Sequence, residues 1–235
     1  MGRVIDFNKK YSNKNRIIKF LDFQHRGGLT TINSFGYTQQ NNSAPFISGF
    51  YENGEAPLYV KINVDTGESF LKYGDIMYNS YGDNFKVEFR FRLLPSASKA
   101  GIFLGVSEND VFDINNIGNF DTGIYIENKI IFPVIAGVKK ESIGEIETSS
   151  TASDYNKYYK ITLTYNFNAD KQMLLTFKNE NNIVIYENKS NITEEPNLIG
   201  AIQALSKNII TDTENATLYA VGFLDYIYIE KKQRR

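Results

Sequence analysis

The sequence predicts an all-β protein in which two antiparallel sheets pack face to face as a sandwich, with at most one short helix. Three stretches carry that prediction. Phe85, Val87, Phe89, Phe91 and Leu93 alternate with Lys86, Glu88, Arg90 and Arg92. Tyr159, Ile161, Leu163, Tyr165 and Phe167 alternate with Lys160, Thr162, Thr164 and Asn166. Near the end, Tyr219, Val221 and Phe223 share a face with Ile227 and Ile229, and Asp225 interrupts them. A period of two sends one set of side chains into a core and the other into water. Burying side chains of this size contributes roughly 1.5–3 kcal/mol each, so the register is strongly specified.

The remaining elements follow in order. A first strand is expected around Ile17 to Phe23, inside a basic stretch holding Arg3, Lys9, Lys10, Lys14, Arg16, Lys19 and Arg26. Those cations have no repeat and few aromatic partners in phase, so they read as the solvated face of a strand rather than a nucleic-acid arm. Residues 27–57 are rich in Gly, Asn, Gln, Ser and Pro and read as loops between short strands. Leu58 to Val64 is a strand, and Asp65 to Glu68 is expected to turn it as a hairpin into Ser69 to Tyr73, with a short strand at Ile76 to Tyr78. Gly101 to Val106 is apolar on both faces, as a central strand would be. Gly123 to Ile126 and Lys129 to Val134 are expected to form a hairpin across Glu127 and Asn128. Residues 139–154 read as a loop.

The stretch 155–188 reads as a β-meander. Asn168 to Asp170 turns the chain, Met173, Leu175 and Phe177 resume the alternation, and Ile183 to Tyr186 makes a short third strand. Leu198, Ile202, Leu205 and Ile209 recur at helical spacing; they mark the one short helix, or a strand and loop broken at Gly200. Gly222 and Asp225 suggest a bulge or bend in the closing strand. No linker divides the 235 residues, so one domain spanning 1–235 is expected, with 1–57 an irregular strand-and-loop region.

Composition excludes several functions. The chain has no cysteine, hence no disulfide, thiolate metal site or cysteine nucleophile. A formal net charge of -1 provides no overall field towards nucleic acid or an anionic membrane. No run of about 18 apolar residues occurs and no secretory signal is visible. The expectation is a domain of a longer protein, or a chain that leaves its cell without a signal peptide. His25 is the only histidine, which argues against a Ser-His-Asp triad. Glu145 and Glu147 are the nearest approach to the alternate carboxylates of a β-sandwich glucanase, without a third acid on that face. No nucleotide-binding or zinc-protease motif occurs, so a non-enzyme is expected.

One loop carries the candidate site. Residues 107–121 are acidic and amide-rich, and Asp110, Asp113, Asn115, Asn116 and Asp121 are oxygen-bearing groups suited to sugar hydroxyls. They also suit calcium, but Ile117 stands where the EF-hand spacing needs a third oxygen. No cofactor is therefore predicted. Tyr78 and Tyr81 are the aromatic residues assigned to the same site.

Residues 84–230 resemble the concanavalin A-like lectin/glucanase superfamily, including laminin G-like domains. The resemblance rests on the order of Phe85 to Leu93, the Gly-containing strand Gly101 to Val106, the hairpin Gly123 to Phe132, the meander from Tyr158 to Tyr186 and the closing Tyr219 to Ile229. It implies a jelly-roll sandwich whose last strand returns to the first sheet. In composition the chain is similar to receptor-binding or baseplate modules of phages of Gram-positive hosts, which lysis releases. The expectation is a non-catalytic carbohydrate-binding or adhesion module of a phage tail or cell surface, found on the virion or outside the cell. Its partner would be a surface polysaccharide or glycan, with a homo-oligomer compatible and neither nucleic acid nor membrane insertion expected. The alternatives are a structural or assembly protein of a phage particle, and a glycoside hydrolase or lyase.

Overall fold

In the computed structural model the described residues are 16–22, 37–40, 58–63, 68–73, 84–93, 100–107, 113–148, 157–166, 171–191, 201–208 and 218–232. They form strands β1 (Arg16–Asp22), β2 (Tyr37–Gln40), β3 (Leu58–Asn63), β4 (Glu68–Tyr73), β5 (Asn84–Leu93), β6 (Ala100–Ser107) and β7 (Thr122–Glu127). The second half adds β8 (Ile130–Ile135), β9 (Val138–Lys139), β10 (Tyr159–Asn166), β11 (Gln172–Lys178), β12 (Val184–Asn191), β13 (Ala201–Asn208) and β14 (Leu218–Lys232). No helix occurs among the described residues.

The strands make two seven-stranded antiparallel sheets. The first runs β1-β14-β5-β10-β11-β12, and β3 also pairs with β14. By register, β1 takes the Tyr226–Lys232 half of β14 and β3 the Leu218–Leu224 half, so the two lie end to end along it. The second sheet runs β2-β4-β13-β6-β7-β8-β9. The expected meander is present as β10-β11-β12, and the closing strand returns to pair with β5.

Period two decides what is buried. Val87, Phe89 and Phe91 of β5, Ile161, Leu163 and Tyr165 of β10, and Met173, Leu175 and Phe177 of β11 are all buried, facing Ile102, Leu104, Val106, Ile124 and Ile126 of the second sheet. Phe91, Tyr159 and Phe177 meet ring to ring at 5.6–6.5 Å, distances at which offset aromatic pairs attract.

Three expectations are corrected. Leu58 to Tyr73 is not a hairpin: β3 pairs with β14 in the first sheet and β4 with β13 in the second, so the two strands belong to different sheets. Turn chemistry specifies a reversal but not the partner strand. The helical spacing at Leu198 to Ile209 yields β13, whose pairing with β6 from Ala201↔Ser107 to Asn208↔Ala100 outweighs local periodicity. The β7–β8 turn falls one residue later than expected, on Asn128 and Lys129, both at positive φ (50° and 69°), the backbone of a two-residue hairpin turn that matches strand twist. The strand expected at Ile76 to Tyr78 and the turn at Asn168 to Asp170 lie outside the described residues.

The bulge expected at the end of the chain occurs twice in β14, between Ala220 and Gly222 against β3 and between Leu224 and Tyr226 against β5. Asp225 is the extra residue of the second.

Candidate functional site

The loop between β6 and β7 is the segment on which the sequence placed recognition. Its local chemistry explains its shape. Asp113 accepts from the Asn115 amide at 3.0 Å through its side chain and from the Asn116 amide at 3.0 Å through its carbonyl, an Asx turn. Asp121 accepts from the Gly118 amide at 3.0 Å and is fully buried. Its backbone continues the tie: the Asp121 amide donates to Gly118 and the Gly137 amide donates to the Asp121 carbonyl, each at 3.0 Å. Thr122 accepts from the Ala136 amide at 3.1 Å.

Apolar contacts hold the same loop down. Phe103, Tyr125 and Val134 form a buried cluster on the face of the second sheet turned away from the other sheet, and Ile114, Ile117 and Phe132 pack against it. Room for Phe103 comes from Gly105 and Gly123, which oppose each other across β6 and β7. A Cβ on Gly105 would lie 2.7 Å from the Phe103 ring, and one on Gly123 would lie 2.9 Å from it. The isoleucines therefore act as pegs and leave Asn115, Asn116 and Asn119 exposed.

The β8–β9 turn completes the site. Ala136 and Gly137 have φ of 44° and 79°, again a two-residue hairpin turn. Gly137 sits so close to the loop that a Cβ would meet the Gly118 carbonyl at 2.7 Å and Asn119 Cα at 2.8 Å. Two residues on, the Lys139 ammonium lies 3.9 Å from the Phe132 ring centroid and 5.5 Å from that of Tyr125. The two rings are 6.4 Å apart. Burial, reinforced by the charge of Glu127 and a hydrogen bond to it, pushes the Tyr125 phenol well above its usual range. The half-buried Phe132 ring, Lys139 and the exposed Asn119 thus lie about the β8–β9 turn, with Asn115 and Asn116 exposed on the same loop.

Of the residues singled out from sequence, Asn115 and Asn116 are exposed at this end, Asp113 shapes the turn beneath them and Asp121 faces inward as the anchor of the loop. Tyr78, Tyr81 and Asp110 lie outside the described residues. Among the described residues, no group of three His, Cys, Asp or Glu side chains is placed to hold a metal ion. Sequence reasoning missed Phe132, Lys139 and Asn119. The turn signal at Ala136-Gly137 predicts the β8–β9 hairpin that brings Lys139 back over Phe132.

The polar face of the first sheet holds a second cluster. Glu88 accepts from the Tyr226 hydroxyl at 2.6 Å and the Thr162 hydroxyl at 3.2 Å, with Lys86 at 3.3 Å and Lys160 at 3.6 Å. Burial alone would raise its pKa, but the Tyr226 hydrogen bond and the two ammonium charges leave it below the usual glutamate value. Beside it Arg90 pairs with Asp225, and the Arg90 and Arg92 guanidiniums lie 4.3 and 5.5 Å from the Tyr158 ring centroid. Glu88 with Lys86 and Lys160, and Arg90 with Asp225, are paired within the sheet, so this cluster reads as structure. Glu145 and Glu147 flank the buried Ile146 on the strand-like segment beside β8; both are exposed, and Glu147 is 3.1 Å from Lys157.

No family model and no curated protein sequence matches the chain. Solved structures do. The acidic lectin of winged bean, in complex with methyl-α-D-galactose, superposes with a TM-score of 0.56 at 12% identity, covering 93% of this chain and 100% of that one. A protein of unknown function from Shewanella oneidensis MR-1 gives 0.55 at 15% identity, covering 93% and 87%. The carbohydrate recognition domain of Emp47p gives 0.51 at 11% identity, covering 96% and 98%. Identities this low speak for architecture alone, and on that level the chain has the concanavalin A-like jelly-roll fold of these lectins.

Proposed function

We propose that this chain is a non-catalytic carbohydrate-binding module of a phage tail or cell surface that attaches to a host surface glycan. The observation that carries the reading is the end of the second sheet, where the half-buried Phe132 ring, Lys139 and the exposed amides of Asn115, Asn116 and Asn119 lie on a scaffold held by Tyr125, Ile114, Ile117 and Asp121. Aromatic rings and amides are the groups that contact the apolar faces and hydroxyls of sugars, and a rigid sheet keeps the entropic cost of binding low. The sugar complex of the winged bean lectin and the recognition domain of Emp47p give the fold a precedent for this use. A glycan array that includes Gram-positive wall polysaccharides tests it. Replacing Asn115, Asn116 and Asn119 together by Ala should weaken binding about tenfold or more through lost hydrogen bonds, with an unchanged unfolding midpoint. An array with no bound glycan, with or without calcium, sinks the reading.

A second reading, a structural or assembly protein, draws on the β11–β12 hairpin. Ile183 in the turn and Val184 at the start of β12, the terminal strand of the first sheet, are 61% and 47% exposed. The turn is stiff, because the Asn179 side chain accepts from the Asn181 and Ile183 amides at 3.0 Å each. Light scattering that finds a stable oligomer without glycan affinity favours this reading.

A further inference from the structure

Among the described lysines without an ion pair, Lys129, Lys139, Lys140, Lys178 and Lys189, Lys139 is the one that lies over aromatic rings. Lys86 and Lys160 are matched by Glu88, and Lys157 by Glu147. Among the described residues Lys139 has no ion-pair partner, and its ammonium lies over the faces of Phe132 and Tyr125. Glu141, the nearest acid in the chain, is exposed and forms no ion pair with it. Asp121 holds the Gly118 amide and Asp113 holds the Asn115 amide. Stacking on the Phe132 ring orients the ammonium, which forms no ion pair with a carboxylate. The exposed Asn119 lies beside Gly137, two residues from Lys139 along the hairpin.

We infer that the ligand of this face is an anionic saccharide, a sugar bearing a carboxylate or phosphate, and that Lys139 is the residue that recognises its charge. The inference rests on the carbohydrate-binding reading above. The Phe132 ring and the amides suit any sugar; the oriented ammonium adds a preference for one with a negative group. Because Lys139 is exposed, the preference is modest and sensitive to salt.

The test is calorimetry with an oligogalacturonate, its carboxyl-reduced galactose counterpart and a glycerol phosphate oligomer. The wild-type chain should bind one of the two anionic probes about fivefold more tightly than the neutral one at low salt, as expected for one exposed charge pair. Comparing the two anionic arms tells carboxylate from phosphate. Lys139→Gln, which keeps most of the side-chain stem, should erase that difference while the chain still unfolds in one cooperative transition. Equal affinity for all three probes overturns the inference and leaves the carbohydrate-binding reading standing, as does an anionic preference that survives in Lys139→Gln. Absence of binding to all three, together with an empty glycan array, overturns both.

Discussion

Gly105 and Gly123 face each other across β6 and β7, and a Cβ on either would lie 2.3–2.4 Å from a carbonyl oxygen of the opposite strand. The close approach lets Phe103 lie across both glycines and receive Ile114 and Ile117 from the loop. One backbone contact therefore sets the position of the candidate site. Gly123→Ala should cost about 2–3 kcal/mol, the scale of an overpacked core that must move backbone. Urea unfolding should show a lower midpoint at an unchanged slope.

The pegs can be tested apart from the amides they support. Ile117→Ala removes a half-buried side chain and should cost about 1–2 kcal/mol of stability. It should also weaken glycan binding by about tenfold, because the freed loop must be ordered on binding. Parallel chemical unfolding and binding titrations check both halves of the expectation.

Asp225 fills the bulge in β14 and pairs with Arg90 while only 3% exposed. Arg90 is 35% exposed, so water softens the loss of its partner. Asp225→Ala should therefore cost about 2–3 kcal/mol, below the range for a fully buried pair. Asp225→Asn, which keeps the shape and a hydrogen-bonding oxygen, should cost less. Thermal unfolding of the two variants compares them directly.

Glu88 carries a pH dependence of defined sign. A carboxyl whose folded pKa is depressed contributes stability above its unfolded value and loses it as pH falls through the folded one. The wild-type chain should therefore lose stability as pH drops below the ordinary glutamate value of 4.5. Glu88→Gln should start lower at neutral pH and show a shallower acid decline, read as urea midpoints across that window.

Lys129 holds the left-handed backbone of the β7–β8 turn with φ 69°. Glycine adopts that conformation without a Cβ clash, so Lys129→Gly should stabilise the chain by roughly 0.5–1 kcal/mol. A higher melting temperature checks it.

Much of the fold was legible because burial on one face forces a period of two. Phe85 to Leu93 and Tyr159 to Tyr165 specify β5 and β10 and their core sides, and Gly222 with Asp225 marks the bulges of β14. Local signals failed where the answer was a partner. Leu198 to Ile209 spaces its apolar residues like a helix, yet β6 claims Ala201 to Asn208 as a strand. Leu58 to Tyr73 reads as a hairpin, yet its two strands join different sheets.

The sequence by itself determined an all-β chain, its main strands and an amide-rich loop between β6 and β7. Only the tertiary structure decided that Asp121 faces inward, that Ile114 and Ile117 pin the loop, and that Lys139 stands over Phe132 without a carboxylate partner. The reason is physical. Alternation is a property of neighbours in the chain, whereas a buried carboxylate and an unmatched cation are defined by what long-range pairing brings beside them.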